Sequence, residues 1–204
     1  MDQLELAPSL SASQLELSEL LTLELEREAE AAWTWRATWT WINGGLTVVQ
    51  AVGIYAVPKA DRGDLAVGAI GSGLSTLLSW VWMLEVEGAA VQARRAQDLP
   101  PAQRLLRTRQ LYERAGRDER ERVTWPWHVA NVGLAAVPAL IILLAFEHGL
   151  SALLTFATGV ATGELALLTQ PMALAEATAG SPSATLGSDR RLTPRAAVVY
   201  ALRW

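Results

Sequence analysis

Cysteine is absent from all 204 residues. That excludes disulfide staples, thiolate metal sites and thiol nucleophiles. Histidine is nearly absent: His128 and His148 are the only two, which argues against a multi-histidine metal centre within one chain. A basic excess is missing as well. Lys and Arg number 17 against 21 Asp and Glu, for a net charge of −4, so no nucleic-acid partner is expected. The chain contains no P-loop, no GxSxG, no HExxH and no Asp/Glu-rich metal motif. The expectation is therefore a protein that is not an enzyme, with no catalytic residues, no cofactor and no metal. A Ser/His hydrolase built from Ser72, Ser75 or Ser79 with His128 is the weakest alternative, because Ser is common packing material in transmembrane helices. Residues Met1–Ala32 are acidic and lack a basic segment followed by an apolar core, so they do not read as a signal peptide.

What is present is apolar sequence from which charge has been removed. Apolar residues make up 51% of the chain, and they are segregated from the charges rather than interleaved with them. Ala37–Val57 and Leu65–Leu84 carry no charged residue. Trp125–Phe146 holds only His128, and Leu150–Pro171 only Glu164. At ~1.5 Å rise per residue, each window covers roughly the ~30 Å hydrocarbon thickness of a bilayer. A soluble core helix normally keeps a polar stripe. The connections Pro58–Asp64 and Glu147–Gly149 suit only tight turns, so the windows pair as two antiparallel hairpins. The expected fold is all-α: a four-helix transmembrane bundle of two hairpins with cytoplasmic flanking helices.

The basic residues supply a direction. With these windows, 15 Lys and Arg fall on the side of the termini and the central segment, and only Lys59 and Arg62 on the other. Basic loops stay cytoplasmic, which places the protein in the cell membrane as a multi-pass chain with both termini inside. Tryptophan agrees. Trp33, Trp35, Trp39, Trp41, Trp80, Trp82, Trp125 and Trp127 all fall near the inner ends of the windows. Indole favours the headgroup boundary because its ring is apolar and its N–H needs a partner.

The organisation follows. Residues 1–32 form an acidic N-terminal segment, helical from Ser13 as N-cap with Glu16 three residues later and Leu17, Leu20 and Leu21 on one face. Residues 33–88 form the first hairpin, and 89–124 an Arg-rich helical linker with Pro101 in the first turn of its helix. That helix either lies solvated against the cytoplasmic face or touches anionic lipid. Residues 125–175 form the second hairpin, with Pro138 kinking its first helix. Residues 176–204 form a tail, largely loop, with Ala196–Trp204 a short strand or frayed helix. The two hairpins also match one another. Asn43-Gly44-Gly45-Leu46 aligns with Asn131-Val132-Gly133-Leu134, and Gly73, Leu77, Leu78 and Ser79 align with Gly163, Leu167, Leu168 and Thr169, which would make a tandem repeat. The pseudo-twofold axis would then run along the membrane normal.

Glu164 is the residue most in need of a reason. A charge well inside a bilayer costs on the order of 2.5–3.5 kcal/mol on insertion scales, so it should face protein and find a partner. By depth, the candidates are His128, Asn131 and Asn43. One reading of this intramembrane polar site is a structural hydrogen-bonded knot between helices. The other is a proton- or cation-linked site, since a carboxylate and an imidazole in contact exchange protons. Gly159 and Gly163 have GxxxG spacing, and Gly71 and Gly73 thin the second window, so these four are read as helix-packing positions.

Trp125 and Trp127 before His128 and Asn131, Gly163-Glu164, and Thr169-Gln170-Pro171 together resemble an uncharacterised group of bacterial four-span membrane proteins. In that group a Trp-x-x-His-x-x-Asn run opens the second hairpin; here only Trp125 has the two-residue gap. The resemblance covers about residues 33–175 and implies the four-span layout but no activity. The sequence thus leads to a non-enzymatic scaffold or subunit of a membrane complex, in a lipid bilayer, as a homo-oligomer or with a membrane partner protein. The alternative is a small proton- or cation-linked transporter or channel subunit using Glu164 and His128.

Overall fold

The computed structural model describes residues 3–81 and 83–179, with side chains from Ala12 to Thr178 among them. Every regular element there is helical. Helix α1 spans Gln3–Ala56, α2 Arg62–Val81, α3 Glu85–Arg95, α4 Pro101–Arg122, α5 Trp125–Phe146, α6 Gly149–Leu168 and α7 Ala173–Ala179. Single 3-10 turns at Lys59–Asp61 and Ala96–Asp98 close the connections before α2 and α4. Trp82 and the tail from residue 180, including its terminal Ala196–Trp204, lie outside the described residues.

The chain forms two compact units. One holds residues up to Trp33, Leu84–Glu121 and the chain from Pro171; the other holds Thr34–Met83 and Arg122–Gln170. Helix α1 contributes to both. The two units divide at Trp33, beside the expected boundary at residue 32, but no break in the backbone marks it: the acidic segment and the first apolar window are one 54-residue helix. Ser13 is interior to it rather than its N-cap. No Gly or Pro lies between Ser9 and Asn43 to stop the helix, and Leu, Glu and Ala are all strong helix formers.

The first unit is built like a water-soluble helical domain. The α1 residues Ser18, Leu21, Thr22, Leu25, Glu28 and Ala32 are buried at helical spacing. Leu20, expected on that face, points outward at 37% exposure. Val86, Ala89, Ala90 and Ala93 of α3 and Leu111, Tyr112 and Ala115 of α4 complete the core. Each buried Leu or Tyr side chain contributes on the order of 1.5–3 kcal/mol. Helix α3 starts where the Glu87 carboxylate accepts the Leu84 N–H at 2.9 Å and the Glu87 N–H donates to Leu84 O at 3.0 Å.

Helix α7 straddles the expected boundary between the second hairpin and the tail at 175/176, and two carboxylates hold its first turn. Glu28 accepts the Ala173 N–H at 3.0 Å, and Glu119 accepts the Ala175 N–H at 2.8 Å. Glu119 is only 3% exposed. Its burial, with a further push from the Glu28 charge, raises its carboxyl to about 8 although the Ala175 N–H pulls the other way. A carboxyl raised in the folded state binds more protons folded than unfolded between those two values. Its contribution is therefore fullest below pH 4.5 and is lost as pH rises towards about 8. The expected result is a decline in the unfolding midpoint of this unit across that window, which Glu119→Gln flattens. An unchanged slope in the Gln variant would assign the decline to other groups.

The second unit inverts the pattern. Large apolar residues cover its surface: Val49 is 68% exposed, Ile70 73%, Leu144 76% and Leu168 73%. Among the described residues, three helical segments are long and apolar enough to cross a membrane: one within Lys59–Asp98, where α2 lies, then Trp125–Phe146 and Gly149–Leu168. The second half of α1 has a lower mean hydropathy because Asn43, Thr47, Gln50 and the tryptophans interrupt it. Helix α5 starts with Pro126 in its first turn, where no N–H partner is needed, and runs through Pro138. It ends at Glu147, whose φ of 61° lies in the left-handed region. A side chain there costs roughly 1–2 kcal/mol. Glu147→Gly is expected to stabilise the chain by about 1 kcal/mol, read as a small rise in the unfolding midpoint; a lower midpoint would mean that the Glu147 side chain makes a stabilising contact.

Candidate functional site

The α5–α6 hairpin is packed closely because small residues face each other. Ala135, Ala139, Ile142 and Ala152 are buried. A Cβ on Gly159 would lie 3.0 Å from Ala135 Cβ, and one on Gly163 would overlap the Asn131 side chain. These two glycines therefore sit at the closest approach of the two helices. Asn131 and Glu164 then share one level of the hairpin, and His128 lies one turn earlier on α5.

Glu164 is bracketed by both. His128 Nδ1 lies 2.6 Å from Glu164 Oε2. Asn131 Nδ2 donates to Glu164 Oε1 at 2.9 Å and to Val160 O at 3.2 Å. The carboxylate thus has a polar partner on each oxygen. The His128 and Glu164 side chains remain 36% and 28% exposed, so the pair lies at the surface of the unit rather than in its core. Helix α6 ends at Leu168 rather than Pro171, so Glu164 stands one turn from its end, not two. A carboxylate on Nδ1 fixes the orientation of the ring and leaves Nε2 as its remaining acid–base position.

Asn43 does not join this group. Its Nδ2 donates to Trp39 O within α1 at 2.9 Å, and among the described residues no hydrogen bond links it to Glu164, His128 or Asn131. Gly73 lies against Thr47, whereas a Cβ on Gly71 would meet nothing within 4 Å. The close approaches on α2 are Gly63, where a Cβ would lie 2.6 Å from the Phe146 ring, and Gly68, where it would lie 2.9 Å from Gln50 Nε2.

Three further polar contacts lie outside the sequence reading. His148 Nδ1 lies 2.8 Å from Asp64 Oδ2, joining the α5–α6 turn to the first turn of α2. The sequence held the signal for it, since Asp64 and His148 each border a window on the same side. At the other end, the Trp35 indole donates to Ala166 O at 3.1 Å and that of Trp39 to Thr169 Oγ1 at 3.2 Å. The chain finds no match among protein-family models, curated proteins or solved structures.

Proposed function

We propose that this protein is a multi-pass component of the cell membrane, with four spans arranged as two hairpins and a cytoplasmic helical unit. In this reading it is a non-enzymatic scaffold or subunit of a membrane complex, as a homo-oligomer or with a membrane partner protein. The carrying observation is the inverted exposure of the unit containing α2, α5 and α6. Continuous apolar surface of this kind is unfavourable in water and suits lipid. The fourth span is the second half of α1. Its Val48, Val49, Val52 and Tyr55 are 62–85% exposed, while Thr47 and Gln50 turn towards α2. Low hydropathy there reflects a polar seam between helices rather than a polar surface. The tandem-repeat reading rests on the matched Asn43 and Asn131 segments of the sequence, and the kinship with the bacterial four-span group rests on Trp125, His128, Asn131, Gly163-Glu164 and Thr169-Gln170-Pro171 alone.

Labelling tests the topology. The chain has no cysteine, so single Cys residues introduced at Ser13, Asp61 and Gln110 report without background. Positions 13 and 110 should react with an impermeant reagent from the cytoplasmic side, and position 61 only from the other. Cytoplasmic labelling at position 61 would overturn the orientation.

A second reading is favoured by the 2.6 Å contact between His128 and Glu164. An imidazole and a carboxylate paired in an apolar span make a proton- or cation-linked site, and the subunit would then belong to a small transporter or channel.

A further inference from the structure

The first unit carries an open groove of about 500 Å³ between α3 and α4. Arg95 of α3 and Arg107 of α4 line it, with Leu99 and Leu106 beside them. No Asp or Glu lines the groove, and Asp98 of the adjoining 3-10 turn stays outside it.

These two arginines differ from their neighbours. Arg94 meets Glu26 at 2.8 Å, Arg104 meets Glu19 at 3.6 Å, Arg109 meets Glu113 at 3.0 Å and Arg114 meets Glu85 at 2.8 Å. Arg95 and Arg107 form no ion pair among the described residues. Arg107 Nη2 donates to Gln92 Oε1 at 2.9 Å, which orients the guanidinium but leaves its charge uncompensated. Arg117, exposed and also without an ion pair, stands about three turns beyond Leu106 on the same face of α4.

The apolar side of the groove is the second observation. Leu99 and Leu106 are 40% and 59% exposed, in a unit that buries Leu21, Leu25 and Leu111. A small anion would answer the two charges and leave the leucines in water. An uncharged apolar partner would cover the leucines and leave two guanidinium groups desolvated without a counter-charge. The ligand that answers both carries a negative group and an apolar arm. A guanidinium fork takes phosphate through two parallel N–H donors. The Gln92 and Gln103 amides offer donors and acceptors for hydroxyl groups next to it. An anionic phospholipid has that composition, and basic residues interleaved with apolar ones on a helix face suit an anionic leaflet.

We propose that the α3–α4 groove binds an anionic phospholipid, with its phosphate between Arg95 and Arg107 and the start of its acyl chains against Leu99 and Leu106. Of the two settings open to α4 on sequence grounds, solvated or touching anionic lipid, this is the second. It rests on the reading of the chain as a membrane protein with this unit cytoplasmic, and it does not involve Glu164.

The test titrates the purified full chain in neutral detergent at low salt with dioctanoyl phosphatidylglycerol, dioctanoyl phosphatidylcholine or inorganic phosphate, and reads bound ligand by native mass spectrometry. Phosphatidylglycerol should bind on the order of 10-fold tighter than phosphatidylcholine. Arg95→Gln/Arg107→Gln should weaken phosphatidylglycerol binding by roughly 25-fold, since each basic residue near an anionic surface is worth about 5-fold. Both side chains are exposed, so the unfolding midpoint should not move. Arg27→Gln/Arg94→Gln removes two charges from ion-paired positions and should bind lipid as the parent does. Leu106→Gln should weaken the lipid by about 10-fold through lost apolar contact. Equal affinity of the parent for the two lipids would overturn the proposal. So would equal phosphatidylglycerol affinity of the parent and Arg95→Gln/Arg107→Gln, which would leave the groove to an acidic partner segment. Inorganic phosphate binding as tightly as phosphatidylglycerol would overturn the lipid assignment as well. Solubilised protein has no sidedness, so this assay and the topology labelling fail separately: absent lipid binding leaves the spans standing, and cytoplasmic labelling at position 61 leaves the measured lipid affinity standing.

Discussion

Gly163→Val is expected to destabilise the α5–α6 hairpin by about 3–5 kcal/mol. The added side chain would occupy the volume now filled by the Asn131 amide. Overpacking alone costs roughly 1–3 kcal/mol. Displacing Asn131 also breaks its bonds to Glu164 Oε1 and Val160 O, and hydrogen bonds to charged groups are worth about 1.5–3 kcal/mol. The readout is the unfolding midpoint of the chain in mixed micelles. Gly71→Val is the control, because its Cβ would meet open space, and it should lie within about 0.5 kcal/mol of the parent. A Gly163→Val chain as stable as the control would mean that α5 and α6 do not approach at that level.

Much of the helical frame is legible in residue order, and the reasons are local. Pro101 and Pro126 mark the starts of α4 and α5, and Thr169-Gln170-Pro171 marks the end of α6. These boundaries follow from proline's missing N–H and from the lack of alternatives in a short turn. The long α1 is not legible in the same way. The change from acidic to apolar sequence at Trp33 looks like an end, but the backbone has no reason to stop where the solvent changes. Helix α7 was hidden for the opposite reason. Its seven residues are too few to be stable alone, and its first turn is held by Glu28 and Glu119 from distant parts of the chain.

The site shows the same division. Depth along a span can be counted from sequence, and it placed Glu164, His128 and Asn131 at comparable levels. Rotation about the helix axis cannot be counted without knowing which neighbour each helix faces. Asn43 has a suitable depth but lies on α1, where the seam with α2 sets the facing side. The spacing of Thr40, Asn43, Thr47 and Gln50 carried that information, because a four-three repeat of polar residues on an apolar helix marks its buried stripe. The same stripe explains why the hydropathy of α1 falls below that of α2, α5 and α6.

Substitutions at Glu164 separate the two readings of the polar site. Glu164→Gln keeps the shape and an oxygen for the Asn131 N–H, so folding should be retained. If the pair with His128 handles protons, pH-dependent flux in liposomes should fall on the order of 10²-fold, the usual consequence of removing a proton-transfer group. Glu164→Leu probes the structural alternative. Leucine leaves His128 Nδ1 without its carboxylate and reduces Asn131 to its contact with Val160 O. If the knot holds the hairpin together, the Leu chain should lose about 1–3 kcal/mol. If the carboxylate is kept for function, removing a charge from the span relieves an insertion penalty of about 2.5–3.5 kcal/mol, and the Leu chain should match or exceed the parent. A Leu chain as stable as the parent, with no flux from either the parent or the Gln form, would leave Glu164 with neither role.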